Sequence, residues 1–241
     1  GNEKIKYYMA ANLLDQKGII KSSGFKRYSV RANISGDVTP WLNIGTNLFF
    51  NKSKQDIVSD GVFVASYQIS PLGQKYEDED NPGRYTLYPM NPDNFITNPF
   101  TDMSLDDFNE KTKILNGTYA EATFLKNFKY RFTVNSIFDF ERSNFFAPYH
   151  TKLVESFEQY EHGRIRDWNR QYVNLENRLT YSKKFGNHEV GLTGVFSTEE
   201  YQQDYVSAFA KNFGSDYYKW TALQLGQPEF NEVGTSEELW F

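Results

Sequence analysis

Few residues of this chain are spaced for covalent chemistry. Three histidines, His150, His162 and His188, fall in loop or turn sequence and share no metal-ligand spacing. Glu161 and His162 followed by Asp167 could act as acid and base, but a polar loop brings such neighbours together freely. The run Glu77, Asp78, Glu79, Asp80 offers the oxygen ligands that calcium takes. Its spacing is not that of an EF-hand loop, and a solvated acidic loop explains it better. There is no cysteine, which excludes thiolate metal sites, disulfides and cysteine nucleophiles. No glycine loop of the phosphate-cradling type is present. The sequence predicts no enzymatic turnover, no cofactor and no metal.

A different kind of chemistry is suggested by polar residues that recur with period two. Arg27, Arg31, Asn33, Asn43 and Asn47 form one such series, and Arg131, Asp139, Glu141, Glu176 and Arg178 continue it farther along. They fall opposite apolar residues: Tyr28, Val30, Ala32 and Ile34, then Leu42, Ile44, Leu48 and Phe50, then Tyr130, Phe132, Val134, Phe138 and Phe140. Strict alternation marks β-strands with one apolar and one wet side. Strands of about ten residues match the roughly nine to eleven that cross a bilayer when tilted. Charges buried in hydrocarbon would cost a few kcal/mol each, whereas in a wet lumen they are solvated or paired. The expected role of these side chains is to brace the inside of a barrel wall through salt bridges and hydrogen bonds, in preference to touching a substrate.

Composition agrees. The chain has 241 residues, enough for one large domain or two small ones. Aromatics make up 17%, with 21 Phe and 17 Tyr, which suits strands girdled by aromatic rings at two membrane interfaces. The net charge of -5, with basic residues scattered, argues against nucleic acid as a partner. The opening GNEKIKYYM has no basic segment followed by an apolar core, so no signal peptide is read there. No run of eighteen apolar residues exists, which excludes a transmembrane helix but not a barrel.

In order, the patterning predicts strands over about 4–13, 26–34, 42–53, 112–124, 129–141, 171–181 and 189–197, with a reversal over 35–40 after the second. An eighth strand is expected to begin at 237. Residues 54–110 hold most of the prolines and read as a long outer loop, with a short helix over 61–70. Irregular stretches are expected over 143–168 and 200–236, the second with a helix inside 205–225. Turns after strands two, four and six are short, and connections after three, five and seven are long. Such segregation is the mark of a transmembrane barrel, so the fold class is all-β: a partial antiparallel transmembrane barrel of about seven or eight strands, its long extracellular loops containing short helices. A small complete outer-membrane barrel serving as adhesin or anchor, and a soluble β-sandwich that binds carbohydrate, are the competing readings.

Particular residues also resemble a known family. Gln16, Gly18 and Ile19, then Arg27, Tyr28, Ser29, Arg31 and Asn33, then Trp41, Leu42, Ile44 and Gly45, are similar to a strand–loop–strand pattern of SusC/RagA-type TonB-linked outer-membrane transporters. Phe124, Leu125 and Lys126 look like that family's pattern too. The resemblance implies a 22-strand barrel closed by an internal plug, so this chain, 1–241, would be a section of barrel without plug or remaining strands. It further implies residence in the outer membrane, uptake of glycans or peptides energised by TonB through the plug, and a SusD-like surface lipoprotein capping the loops. Substrate would then meet loop aromatics, for which Tyr85, Tyr88, Phe95, Trp168, Tyr217, Tyr218 and Trp220 are the candidates, since aromatic faces stack on sugar rings.

Overall fold

The computed structural model describes residues 4–80, 82–90, 96–157, 160–215 and 217–241, without the side chains of 156 and 157. Eight strands form one antiparallel sheet in chain order: β1 (Ile5–Lys17), β2 (Gly24–Thr39), β3 (Leu42–Asp56), β4 (Asp106–Phe124), β5 (Phe128–Ala147), β6 (His162–Phe185), β7 (His188–Lys211) and β8 (Gln227–Trp240). The all-β architecture is the one the alternation predicts. At one end the strands turn through only 40–41, 125–127 and 186–187. At the other end 57–105, 148–161 and 212–226 connect them. These long connections hold three short helices, α1 (Asp60–Gln68), α2 (Pro99–Asp102) and α3 (Lys152–Phe157), and a 3-10 helix over Lys219–Leu225.

The register carries the apolar series across the sheet. Ala11, Val30, Phe50, Ile114 and Phe138 stand in one cross-strand row, and Ile34, Thr46, Thr118, Val134 and Leu175 in another. This face has no protein cover among the described residues: Met9, Leu13, Tyr28, Leu192 and Phe196 are all more than half exposed. Buried apolar side chains sit instead at the long-loop end: Val62 and Ala65 of α1, Phe146, Ala147, Val154 and Ala210.

The apolar border also runs obliquely. On β2 it reaches Tyr28, whose row leads through Lys52, Thr112, Phe140 and Asn169 to Asp204 on β7. On β7 the apolar series ends at Phe196, eight positions short of Asp204. The whole of that drop falls between β5 and β7, since on β5 the belt reaches Phe140 in the same row as Tyr28. Strands of outer-membrane barrels tilt by about 45°. Along β5, Tyr130 and Phe140 mark the two ends of the belt, and ten residues at that tilt rise about 24 Å, close to the roughly 25 Å height of an outer-membrane apolar band. Aromatic rings gather at the short-turn border, where Phe128 lies 5.7 Å from Phe124 and 4.9 Å from Tyr181.

Several expected boundaries shift. The reversal placed over 35–40 is confined to 40–41; Gly36 and Asp37 stay in β2, paired with Ile44 and Asn43, and the ladder slips by one residue before Thr39. Strand β4 begins at Asp106, β5 runs on to Ala147 and β6 starts at His162, so the irregular stretch expected over 143–168 shrinks to 148–161. Likewise β7 continues to Lys211, and β8 is a full strand of 14 residues, not one that begins at 237. At the long-loop end the cause is common: beyond the belt polar residues stand on both faces, and apolar alternation, which reports only where one face meets an apolar medium, falls silent.

Gly45 shows why the Trp41–Gly45 stretch has its form. A Cβ there would lie 2.5 Å from the ring of Tyr119, its cross-strand neighbour. The bare glycine lets that ring lie flat on β3, and the Arg131 guanidinium stacks on the same ring at 3.9 Å.

Candidate functional site: the polar face and the loop cluster

On the face opposite the belt, polar residues also fall into rows. Asn33, Asn47, Gly117, Asn135, Asn174 and Glu199 form one. Asn135 Nδ2 donates to Asn174 Oδ1 at 3.3 Å, and Asn174 Nδ2 donates to Glu199 Oε1 at 3.0 Å. A second row, Ser29, Asn51, Lys113, Asp139, Arg170 and Gln203, is charged. Asp139 is buried and meets Lys111 at 3.4 Å and Lys113 at 3.8 Å. Glu141 receives Lys111 at 3.3 Å and Arg170 at 3.1 Å. Nearer the short turns, Glu121 pairs with Lys129 and Arg131, Arg178 with Glu176, and Asn43 Nδ2 donates to Asp37 at 2.7 Å.

All ten residues expected on the wet face stand on that one face, as the register shows. Arg131, Asp139, Glu141, Glu176 and Arg178 are tied to other side chains of the face; Arg31 lies 5.8 Å from the Phe49 ring. The partners Lys111 and Arg170 fall just ahead of the strands predicted from 112 and 171, and Lys113, inside the first of these, is not singled out by the alternation. The alternation also misses a row of another character between the two polar ones: Phe49, Leu115, Ile137 and Tyr172 are register neighbours on the wet face. With Arg31 and Gly117 they line a hollow of about 800 Å³.

Five of the six described candidate aromatics lie in the long connections and one does not. Tyr85 is sandwiched between Tyr76 and Phe100, each 5.2 Å away and nearly parallel. The Tyr88 hydroxyl donates to the Glu155 carboxylate, which pushes the phenol up to about 12. Trp220 meets Phe108 edge-on at 5.3 Å, and Tyr217 packs edge-on against Tyr218. Trp168 lies not in a loop but in β6, on the wet face, 5.3 Å from Tyr205. Phe95 lies outside the described residues. Of the six described candidates, only Tyr217 and Tyr218 are both in a loop and at least half exposed.

The acidic run organises its own loop. Glu79 Oε1 accepts from the backbone N–H groups of Lys75 and Tyr76, Asp78 accepts from that of Asp80, and Glu77 meets Arg84 at 3.6 Å and His150 at 3.7 Å. Glu77–His150 and Tyr88–Glu155 thereby fasten the β3–β4 connection to the β5–β6 connection. The imagined acid–base group is not assembled. Glu161 accepts from the Gly214 backbone N–H at 2.7 Å, His162 packs between Phe145 and Phe209, and Asp167 points to the apolar side, where it pairs with Arg142.

A cavity of about 660 Å³ lies where α1, α2 and α3 meet the tops of β4 and β5. Its walls are mainly apolar, with Ile57, Val64, Leu105 and Phe145 among them, and Asp102, Asp107 and Lys152 also face it. Burial pushes the Asp102 carboxyl up, and nearby Lys152 partly offsets this.

No family model matches the chain. It is 26% identical over 239 residues to TonB-dependent receptor P3 of Formosa agariphila, a match covering 94% of this chain and 23% of that receptor. With TonB-dependent receptor P39 of the same organism it shares 25% identity over 246 residues, covering 98% of this chain and 22% of that one. The chain thus spans about a quarter of the length of the curated relatives it matches. Its fold superposes on a chain of the RagAB peptide transporter with a TM-score of 0.75 and 19% identity, over 99% of this chain and 28% of that chain. For the RagAB peptide importer in its open-open state the values are 0.77, 18%, 99% and 27%.

Proposed function

We propose that this chain, which resembles SusC/RagA-type TonB-linked transporters in sequence and fold, is one sector of the wall of an outer-membrane importer. One observation carries the reading. A single sheet presents an uncovered apolar belt, about 24 Å tall along β5 at the usual strand tilt, opposite a face of paired charges and amides. The outer edges of β1 and β8 have no strand partner among the described residues. In lipid every backbone group must be satisfied, so further strands of the same protein would close the barrel there.

In this reading residues 1–241 form part of one barrel domain. The wet face lines the lumen, and the row Phe49, Leu115, Ile137 and Tyr172 seats an internal plug between two polar rows. TonB supplies force through that plug, a SusD-like lipoprotein caps the long loops, and the cargo is a peptide or a glycan. The RagAB neighbours, a peptide transporter and importer, lend weight to peptides. The test is uptake. In cells lacking the gene, the full-length protein should restore accumulation of labelled oligopeptides or oligosaccharides, and a protonophore should abolish it. Accumulation that persists in de-energised cells would overturn the proposal.

A further inference from the structure

The wall and its rows say nothing about what is carried, but the loop cavity does. Its volume of about 660 Å³ lies within the roughly 300–1,000 Å³ of small-molecule sites, and it joins mainly apolar walls to a few converging polar groups as such sites do. It is built by segments far apart in the chain: α1, the α2 region, the tops of β4 and β5, and α3. Asp107 and Phe145 are register partners on the wet face, so the cavity stands over the mouth of the lumen.

Two features decide what fits. The first is charge. Asp102 and Asp107 are half-buried; Lys152 and Arg164 act on them only from a distance, and neither makes an ion pair within 4 Å among the described residues. Partly desolvated carboxylates beside aliphatic walls are costly until a donor reaches them, and an ammonium gives them charge-assisted hydrogen bonds that a neutral hydroxyl cannot match. The second is the absence of a free aromatic platform. Phe145 is the one aromatic side chain lining the cavity among the described residues; Arg164 lies 5.5 Å from its ring centre and His162 5.7 Å. Tyr85 and Trp220 do not line it and are packed against other rings. Aliphatic walls formed by Ile57, Val64 and Leu105 suit a branched side chain better than a sugar ring.

We propose that this cavity binds the amino-terminal end of a short peptide, its ammonium on Asp102 and Asp107 and its first side chain against the aliphatic wall. Lys152 stands on the same cavity and can meet a carboxylate of the ligand. The assignment rests on the importer reading and narrows its cargo to peptides with a free amine.

The probes are trileucine, N-acetyl-trileucine and maltotriose, titrated calorimetrically into the full-length protein in detergent. Trileucine should bind, and acetylation should weaken it at least tenfold. D102N/D107N should weaken trileucine at least tenfold and erase its advantage over the acetylated form. D80N, which removes one charge from the same connection away from the cavity, should leave binding unchanged. No binding of trileucine, equal binding of both peptides, preference for maltotriose, or indifference to D102N/D107N would each overturn the assignment. The importer reading is judged separately by energised uptake: a protein that still imports under a proton gradient while failing these titrations loses only the peptide assignment.

Discussion

A single charge placed on either side of β5 separates a lipid-facing belt from every other explanation of the alternation. Val134 sits four residues above Tyr130 and six below Phe140 on the apolar side, about 10 Å and about 14 Å along the normal at a tilt of about 45°. That is near the middle of the belt, with Thr118 and Leu175 beside it. Arginine at the midplane of an outer-membrane strand costs about 2–4 kcal/mol, falling to about 0–1 at the interfaces. Val134→Arg should therefore cost about 2–4 kcal/mol and Phe140→Arg, at the upper border, about 0–1. Asn135→Arg differs from the first by one position and points to the wet face, where Gly117 leaves room beside it. Its expected cost is about 0.5–1 kcal/mol, the loss of one hydrogen bond to Asn174. Urea unfolding of the full-length protein in phospholipid vesicles reads all three. A gap of about 2 kcal/mol between neighbouring residues is roughly thirtyfold in the equilibrium constant, well above experimental scatter. Equal costs at 134 and 135, or a cost at 134 that does not fall off towards 140, would refute the membrane placement. A protein that folds in buffer without lipid and still resents arginine at 134 would put that face in a protein core instead.

Two further perturbations test the local arguments. Gly45→Ala should destabilise by about 1–3 kcal/mol, because the new Cβ must displace the Tyr119 ring and with it the Arg131 stack. In Tyr119→Ala the same substitution should become nearly harmless, and additive costs in the double variant would show that the contact is not the cause. For Asp102, burial raises the carboxyl above its usual range, so the folded state holds the proton more tightly than the unfolded chain. Ionisation then costs stability in full above the folded value, and the cost fades as pH falls below the unfolded one. Asp102→Asn should be the more stable protein at about pH 7, with the gap closing towards about pH 4; a gap that widens in acid would contradict the burial argument. The same variant binding trileucine more weakly while being more stable would exclude unfolding as the reason.

What the sequence made legible follows the medium. Wherever a strand crosses the belt, as from Tyr130 to Phe140, the two sides see different solvents and the residues declare the strand and its facing. Above the belt, His162–Arg170 and Glu200–Lys211 are as regular in backbone but carry polar residues on both sides, so they read as loop. Gly36 and Asp37 look like a turn because their types suit one, yet Pro40 and Trp41 make it, one residue past a slip in the ladder that alternation cannot reveal. The lumen row was hidden for the opposite reason. Phe49 follows Leu48 and precedes Phe50, and three apolar residues in succession blur the period instead of announcing two faces. The loop cavity could not be read at all, since Ile57, Asp102, Phe145 and Lys152 become neighbours only once the β3–β4 and β5–β6 connections are fastened together.

That fastening bears on how such a wall could work. On the charged part of the wet face Asp139 pairs with two lysines and Glu141 with Lys111 and Arg170, so neither carboxylate depends on one partner alone. Lys111 and Lys113 remain more than a third exposed, which keeps these bridges screened and individually weak. A face held by shared, weak pairs can exchange one partner for a visiting charge without leaving a carboxylate bare. A sealed pair could not, because breaking it would strand a buried charge at a cost of about 3–5 kcal/mol. The row Phe49, Leu115, Ile137 and Tyr172 lies directly beside those pairs and makes no such exchange. A body seated on it would be held by apolar contact while its polar flanks slide over replaceable bridges. The loops are tied down by Glu77–His150 and Tyr88–Glu155, contacts that do not touch the lumen rows. The contacts that fasten the loops and the pairs that brace the wet face therefore share no residue.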